Sequence, residues 1–389
     1  MMFNNSSELN STGLLQCKPV KSLYNLSAYI PGKPIELIER EYGIKGAIKL
    51  ASNENPYGVS LDVINYLSDK VNSNNNINLY PDGNGYYLKE ALADHHKVST
   101  DMITLGNGSN DVLDIITRCF ATHGDEVIFS QYAFAVYAIC TQAVGAKAVM
   151  TPALDWGYDL QAILDAITDK TKIIFIANPN NPTGTCLSGK DLKNFIDQVP
   201  ANILVVIDEA YVEYASHELS PWHEQYESCV NWLKNYPNLV VTQTFSKAYA
   251  LAAMRIGYSL SHPQVADFLN RVRQPFNNNQ FALDAANIAL NDQEHIQSVS
   301  KNNWLEMEVL TKALNKLSLN YIPSAGNFIS VNFDKVKNGD AQKVDQYLLT
   351  KGIIVRPVGN YGMNNYLRIS LGTSYENQKL IDALEGYLS

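Results

Sequence analysis

The chain has 389 residues, of which 46% are hydrophobic and 18% charged, so it is long enough for two or three domains and unlike a globally disordered protein. Its formal net charge of −9 disfavours nucleic acid and anionic membranes as partners, and any phosphate or carboxylate site must be built from local arginines and lysines. Five cysteines without a CxxC pair argue against a disulfide framework and a zinc site. The unpaired cysteines and the lack of a visible secretory signal predict a cytoplasmic protein without a bound metal.

The first elements along the chain predict a sheet covered by helices. Residues 1–22 are polar and rich in Asn and Ser, which predicts a disordered tail. Short Val- and Ile-rich runs then alternate with amphipathic stretches such as 112–120 and 191–199, a pattern typical of parallel strands with helices on both faces. The uncharged segment 127–146 is interrupted by polar residues, so we expect a strand, a turn and a helix there rather than a membrane span. The seven predicted strands are 103–105, 126–130, 148–150, 173–177, 204–207, 239–242 and 256–260.

The C-terminal part of the chain mixes helices and strands. A long helical stretch is predicted over 280–317 and a final helix from about 376. Between them lie strand-like runs at 327–332, 353–357 and 367–371 and a helix at 341–351. The sequence therefore predicts an α/β protein with a mostly parallel seven-stranded sheet in a large domain and a smaller α/β C-terminal domain. We expect an N-terminal arm with part of the small domain over 23–75, the large domain over 76–285 and the small domain over 286–389.

Five of the seven predicted strands run directly into segments rich in Gly, Asn, Pro or ionisable residues. Ligands of open α/β sheets bind beyond the carboxyl ends of the strands, so these segments predict one shared site. They are GNGSND (106–111), SQY (130–132), NPNNPTG (178–184), DEAY (208–211) and TFSK (244–247).

Each segment alone leaves alternatives open. Gly106 and Gly108 before a helix suit a phosphate but also an ordinary turn, and a dinucleotide fingerprint fails because Asp111 stands at the third glycine position. Asp208 could be a helix cap, a metal ligand or the partner of a cationic ring. Lys247, in an apolar setting, is either a snorkelling side chain or an amine with a lowered pKa. Together a lysine, a carboxylate and phosphate donors match the needs of pyridoxal 5′-phosphate (PLP).

The order of the motifs resembles a known family. NPNNPTG, DEAY, SKAYALAAMRIGY and YLRISLGT follow one another as in fold-type I PLP-dependent aminotransferases. Together with SNENPYG (52–58) and YPDG (80–83), they are most similar to those of histidinol-phosphate aminotransferases. The resemblance covers about residues 24 to 389.

The resemblance implies a cofactor site in the large domain. Lys247 resembles the Schiff-base lysine, and Asp208 resembles the acid that pairs with the pyridinium nitrogen. Tyr211 and Asn181 resemble the donors to the phenolic oxygen, and Tyr132 stands where the family stacks an aromatic ring on the cofactor. The residues that resemble the phosphate cup are Ser109, Asn110, Ser246 and Arg255.

The resemblance also implies how substrates bind. Arg368 resembles the arginine that faces the substrate carboxylate, whereas Arg356 and Tyr57 resemble the pair that meets the substrate phosphate. Asn327 falls in a segment that lines the substrate pocket. Tyr80 resembles the tyrosine that one subunit of a homodimer contributes to its neighbour's site.

The implied reaction is amino transfer between histidinol phosphate and 2-oxoglutarate, giving imidazole acetol phosphate and glutamate in histidine biosynthesis. An aromatic amino acid aminotransferase and a threonine-phosphate decarboxylase remain as alternatives. A non-catalytic PLP-fold protein or regulator is a further alternative of another class, against which the presence of both Lys247 and Asp208 argues.

Overall fold

A computed structural model of the chain describes residues 19–26, 28, 32–73, 77–334, 336 and 340–388. Most of the predicted tail, residues 1–18, therefore lies outside the described residues. Its last positions lead into a short 3₁₀ helix at Lys21–Asn25.

The described residues form fifteen strands and thirteen α-helices. The strands are β1 (Ile48–Lys49), β2 (Ile103–Gly106), β3 (Glu126–Ser130), β4 (Lys147–Thr151), β5 (Ala153–Leu154), β6 (Gly157–Tyr158), β7 (Thr171–Ala177), β8 (Leu204–Asp208), β9 (Leu239–Thr244), β10 (Gly257–Ser261), β11 (Asn320–Ile322), β12 (Phe328–Asn332), β13 (Ile353–Ile354), β14 (Arg356–Pro357) and β15 (Tyr366–Ser370). The α-helices are α1 (Ile35–Tyr42), α2 (Leu61–Asn72), α3 (Tyr86–His96), α4 (Ser109–Phe120), α5 (Ala135–Ala143), α6 (Leu160–Asp165), α7 (Gly189–Ile196), α8 (Val212–Ala215), α9 (Pro263–Val272), α10 (Gln280–Asn291), α11 (Gln293–Lys316), α12 (Ala341–Thr350) and α13 (Ser374–Leu388).

The seven predicted strands form one central sheet in the order β2-β10-β9-β8-β7-β3-β4, which confirms the predicted fold class. The pairs from β9 to β4 are parallel, and β10 is antiparallel to both of its neighbours. The reason is the short return after β9. A parallel neighbour needs a long crossover that is usually helical, whereas β9 and β10 are joined by a loop with one 3₁₀ turn at Ala252–Met254.

Alternate residues of the central strands pack into two cores, one on each face of the sheet. On β7, Ile174 and Ile176 face one core, and Ile173 and Phe175 face the other. Helices α6, α7 and α10 cover the first face, and α4, α5 and α9 cover the second. Burial on both faces explains why these strands are continuous apolar runs rather than alternating ones.

A second sheet of four antiparallel strands lies in the C-terminal part, in the order β11-β12-β15-β14. Helices α11, α12 and α13 pack on it around a separate core, to which Ile48 and Leu50 of the N-terminal segment also belong. The prediction of one continuous helical stretch over 280–317 is wrong in one respect, because Asp292 divides this stretch into α10 and α11. The Asp292 carboxylate accepts a hydrogen bond from the His295 amide (3.1 Å) and so caps the second helix.

Among the residues that the structure describes, no helix is both long and apolar enough to cross a membrane.

Candidate active site

The ends of the central strands enclose a cavity of about 190 Å³ between the two sheets. Most of the residues predicted for the site line this cavity. They are Ser109, Asn110, Asn181, Asp208, Tyr211, Ser246, Lys247, Arg255, Arg356 and Arg368.

Asp208 ends β8 and is buried at the floor of the cavity. Its two carboxylate oxygens accept hydrogen bonds from the Tyr137 hydroxyl (2.9 Å) and the Thr242 hydroxyl (3.0 Å). Burial raises the pKa of Asp208, and these two hydrogen bonds and the charge of Lys247 oppose that rise. A buried carboxylate held this way can pair with a cationic group in the cavity.

Lys247 follows the end of β9, and its ammonium group reaches across the cavity. Its Nζ donates a hydrogen bond to the Ser52 carbonyl (3.1 Å) and lies 5.8 Å from the centre of the Tyr211 ring. Burial and the nearby Arg368 lower the pKa of Lys247 to about 8. A large share of this amine is therefore neutral at slightly alkaline pH, as a nucleophile or a general base requires.

Tyr211 and Asn53 form a hydrogen-bonded pair at one wall of the cavity. Asn53 Nδ2 donates to the Tyr211 hydroxyl (2.9 Å), so the hydroxyl keeps its own proton for another acceptor. Asn53 is in turn bonded to Ser370, whose hydroxyl accepts from the Asn53 amide (2.7 Å) and donates to Asn53 Oδ1 (2.9 Å). Burial raises the pKa of Tyr211 to about 12, so this phenol remains protonated at neutral pH.

Backbone and side-chain donors converge at the start of α4. Ser109 and Asn110 are its first residues, and unpaired amides at a helix N-terminus bind anions. The guanidinium of Arg255 lies against the same turn and donates to the Ser246 hydroxyl (3.3 Å). Gly108 has a φ of 86°, and a Cβ there would collide with Arg255. Any other residue would be strained at this φ and would push the Arg255 guanidinium away, so the glycine keeps the guanidinium close to the start of α4, and together they produce a cup for a phosphate.

Two arginines lie opposite each other on neighbouring strands. Arg356 of β14 pairs in register with Arg368 of β15, and both line the cavity. Arg368 donates to Asn181 Oδ1 (2.6 Å) and to the Ala51 carbonyl (2.6 Å), both of which are neutral acceptors. Like charges at directly opposed positions repel each other, so this register favours an anionic ligand.

Four predicted residues lie away from the cavity lining. Tyr132 packs against Trp156 with ring centroids 5.1 Å apart, and Phe134, two residues later, lines the cavity instead. Tyr57 and Asn327 line a separate small cavity beside Tyr214. The cavity lining thus includes Arg356 but not Tyr57, its predicted partner.

Tyr80 is the fourth of these residues. It is 82% exposed and stacks on Phe276, with ring centroids 4.7 Å apart. Within one chain it does not line the cavity.

The chain matches the family model "Aminotransferase class I and II" over residues 45–384. It belongs to this aminotransferase family. Histidinol-phosphate aminotransferase 1 of Idiomarina loihiensis is 49% identical to it over 98% of both chains. Histidinol-phosphate aminotransferase 2 of Haemophilus influenzae is 47% identical over 95% of this chain and 97% of its own.

A solved structure of a histidinol-phosphate aminotransferase is similar to this chain along nearly its whole length. The histidinol-phosphate aminotransferase of Sinorhizobium meliloti, in complex with PLP, superposes with a TM-score of 0.85. It is 27% identical in sequence, and the match covers 98% of this chain and 99% of that one.

The residues of this aminotransferase fit PLP on chemical grounds. Asp208 offers a buried carboxylate to which no arginine or lysine of the described residues is hydrogen-bonded, which suits a protonated pyridine nitrogen. Gly108 leaves space for the cup at α4, and Lys247 supplies an amine of lowered pKa for an aldehyde. The Tyr211 proton is available for a phenolic oxygen.

Reasoning from the sequence missed Asn53, Phe134, Tyr137 and Thr242. Asn53 lies inside the SNENPYG motif, so the motif itself was a signal. Phe134 and Tyr137 follow Tyr132 in an aromatic-rich run, in which spacing alone does not say which ring faces the cavity. Thr242 carries no signal in the sequence, because it is one of many β-branched residues of a buried strand.

Proposed function

We propose that this aminotransferase transfers the amino group of histidinol phosphate to 2-oxoglutarate, giving imidazole acetol phosphate and glutamate in histidine biosynthesis in the cytoplasm. The observation that carries the proposal is the opposed pair Arg356 and Arg368 at the cavity. One substrate carries a phosphate and the other two carboxylates, so both need cationic partners. The names and the 46–49% identity of curated relatives support the same reaction.

PLP is the proposed cofactor. When bound, it withdraws electrons from the carbon that carries the substrate amine and so makes that carbon's proton acidic. Asp208 would hold the pyridine nitrogen, while Tyr211 and Asn181 would donate to the phenolic oxygen. Phe134 is our candidate for the ring that covers one face of the cofactor, since it lines the cavity and Tyr132 does not.

The phosphate of PLP would lie in the cup at the start of α4. Ser109, Asn110, Ser246 and Arg255 surround that position. The guanidinium of Arg255 supplies a charge-assisted hydrogen bond, which is roughly twice as strong as a neutral one. This local positive charge compensates for the net charge of −9 of the whole chain.

Lys247 is the proposed catalytic base and acid. Its amine would bind the cofactor in the resting enzyme and, once released by the substrate, carry a proton away from the substrate carbon. The Ser52 carbonyl holds Nζ at one wall of the cavity through a hydrogen bond of 3.1 Å. The lowered pKa of Lys247 keeps part of the amine unprotonated for this role.

Arg368 and Arg356 would divide the recognition of the substrates. Arg368 is fixed by Asn181 and the Ala51 carbonyl, which suits a contact common to both half-reactions. Arg356 lies beside it on the outer strand of the sheet, where it can meet the phosphate of histidinol phosphate.

The test is a substrate panel of histidinol phosphate, phenylalanine and 2-oxoglutarate. We expect Arg356→Ala to lower kcat/KM for histidinol phosphate by about ten- to a hundredfold and to affect phenylalanine much less, because a charged phosphate contact contributes roughly 1.5–3 kcal/mol. Arg368→Ala should weaken the binding of all three substrates, since each carries a phosphate or a carboxylate. Arg271→Ala, which removes an exposed arginine paired with Asp267, is the control. Equal losses on every substrate for Arg356→Ala would replace this proposal with an aromatic amino acid aminotransferase.

We also propose that the enzyme is a homodimer. The described residues of α2, of α3 and of the segment between them expose eight large apolar side chains, and exposed apolar surface of this kind commonly marks a protein interface. A second copy of the chain would cover them and bring Tyr80 to the neighbouring site. They are Leu61, Ile64, Val71, Ile77, Leu79, Tyr80, Tyr86 and Tyr87.

Complementation tests the shared site. Tyr80→Ala and Lys247→Ala should each be nearly inactive, and mixing them under subunit exchange should restore part of the activity, because a hybrid dimer contains one intact site. A monomer in sedimentation, or no recovery after proven exchange, would contradict the shared site.

A further inference from the structure

We infer that Tyr137, together with Thr242, is a positioning residue that keeps Asp208 ionised and oriented toward the cofactor ring. The inference rests on the proposed function, because it gives Asp208 its role at the pyridine nitrogen. It adds two residues that the family motifs of the sequence do not contain.

The two donors divide the carboxylate between them. Tyr137 Oη lies 2.9 Å from Asp208 Oδ2, and Thr242 Oγ1 lies 3.0 Å from Oδ1. Each oxygen therefore accepts one side-chain hydrogen bond from the described residues and keeps further lone pairs for a ligand. With both oxygens held, rotation of the carboxylate is restricted, and its remaining lone pairs have a fixed direction.

The Tyr137 hydroxyl is fixed by the packing of its ring. Tyr137 is fully buried on α5 and stacks flat on Phe175 of β7, with centroids 4.7 Å apart and planes 5° apart. Phe134 meets the same ring edge-on at 6.0 Å. The donor therefore belongs to the rigid core under the sheet, and the same ring links Asp208 to Phe134, which lines the cavity.

The chemical type of the donors matters as much as their position. Burial disfavours a charged carboxylate, and hydrogen bonds to the charged form favour it. An arginine or lysine in place of Tyr137 would also stabilise the carboxylate, but its charge would repel a protonated pyridine nitrogen. Two neutral hydroxyls stabilise the anion without that repulsion.

Other titratable groups also face Asp208. Lys247 lowers the pKa of Asp208 through its charge, whereas Tyr158 and Tyr211 are buried phenols whose own pKa Asp208 raises. The hydrogen bond from Tyr137 lowers the pKa of Asp208. Its removal therefore raises that pKa, and Asp208 then takes up a proton at a higher pH than before.

The decisive variant is Tyr137→Phe, which retains the ring stack and removes only the hydroxyl. We expect the dissociation constant for PLP, measured by titrating the apoenzyme, to rise about ten- to a hundredfold, the range for a hydrogen bond to a charged group. The pH titration of the bound cofactor's absorbance and the acidic limb of the kcat profile should both move to higher pH. Thr242→Val should change the PLP dissociation constant, the absorbance titration and the kcat profile in the same directions. Thr242→Ser, which keeps a hydroxyl, should resemble the parent enzyme in these measurements.

Tyr258→Phe is the matched control. Tyr258 is a buried tyrosine of β10 whose hydroxyl donates to Gln243 Oε1 (2.6 Å) and does not contact Asp208. The Tyr258→Phe variant should have a lowered melting temperature, as Tyr137→Phe should, but its PLP affinity and pH profile should be unchanged. If the PLP affinity and the pH profile of Tyr137→Phe are the same as those of Tyr258→Phe, the positioning role is overturned. If Tyr137→Phe does not fold, an unchanged PLP affinity and pH profile in Thr242→Val overturns it.

Discussion

The floor and the roof of the cavity are built in different ways. The floor lies at the strand ends of the central sheet: Asp208 is the last residue of β8, and Lys247 and Ser109 lie three residues beyond the ends of β9 and β2. The roof is one face of β15 together with residues 51–53 of the N-terminal segment. The floor residues belong to one sheet, whose neighbouring strands hold them. The roof residues lie where the core of the central sheet meets the separate C-terminal core.

Strand β15 forms the roof with every second residue. Tyr366 packs on Trp156 (4.9 Å between centroids), Arg368 bonds to Asn181, and Ser370 bonds to Asn53. The intervening Leu367 and Ile369 are buried in the C-terminal core. Because side chains alternate across a strand, one strand belongs to the C-terminal core and forms the roof at the same time.

This difference suggests a division of work. The floor can hold the cofactor rigidly, since its donors cannot move without disturbing the sheet. The roof meets the central part through single side chains, so a change there should affect substrates more than the cofactor.

The largest effect is expected from Asp208→Asn in the floor. An amide cannot keep a pyridine nitrogen protonated, so turnover should fall by several powers of ten. Asp208→Glu should retain some activity, because it keeps the carboxylate. Single-turnover kinetics measure the loss, and near-normal turnover in Asp208→Asn would make this acid a purely structural residue.

An intermediate effect is expected from Ser370→Ala in the roof. The change leaves the buried Asn53 amide and Oδ1 without their partner, at a cost of about 1–3 kcal/mol. We expect kcat/KM to fall several-fold while the PLP dissociation constant changes little. Ser259→Ala is the control, since the buried Ser259 hydroxyl has no hydrogen-bond partner among the described residues. A large loss of PLP affinity in Ser370→Ala would contradict the division between floor and roof.

The smallest effect is expected from Trp156→Gly at the rim. Trp156 has a φ of 68°, which costs roughly 1–2 kcal/mol in a residue other than glycine. Each of its ring contacts, with Tyr132 and with Tyr366, contributes roughly 0.5–1.5 kcal/mol beyond the area that it buries, so the lost contacts outweigh the relief of strain. We therefore expect a melting temperature a few degrees below that of the parent and turnover within about twofold. Trp156→Phe keeps the strain and part of the contact, so calorimetry of the pair separates the two terms.

The sequence predicted the floor better than the roof. Lys247, Asp208 and Ser109 lie in short motifs after Val- and Ile-rich runs, and the carboxyl ends of parallel strands meet at one edge of a sheet. The bond between Asn53 and Ser370 joins residues 317 positions apart, and no local pattern predicts such a contact. Phe134 lines the cavity and Tyr132 packs against Trp156, although both have the same parity in the sequence, so the pattern alone does not distinguish them.

The sequence by itself determined the seven strands of the central sheet, their mostly parallel direction and the motifs that follow them, because these depend on local hydrophobic pattern and chain connectivity. It also determined the family, through motifs that are short and contiguous. Only the tertiary structure decided that Arg356 lies opposite Arg368, that Tyr137 and Thr242 hold Asp208, and that Asn53 reaches Tyr211. Those contacts depend on how two cores pack against each other and on which way each buried side chain points, and both are set by the whole chain at once.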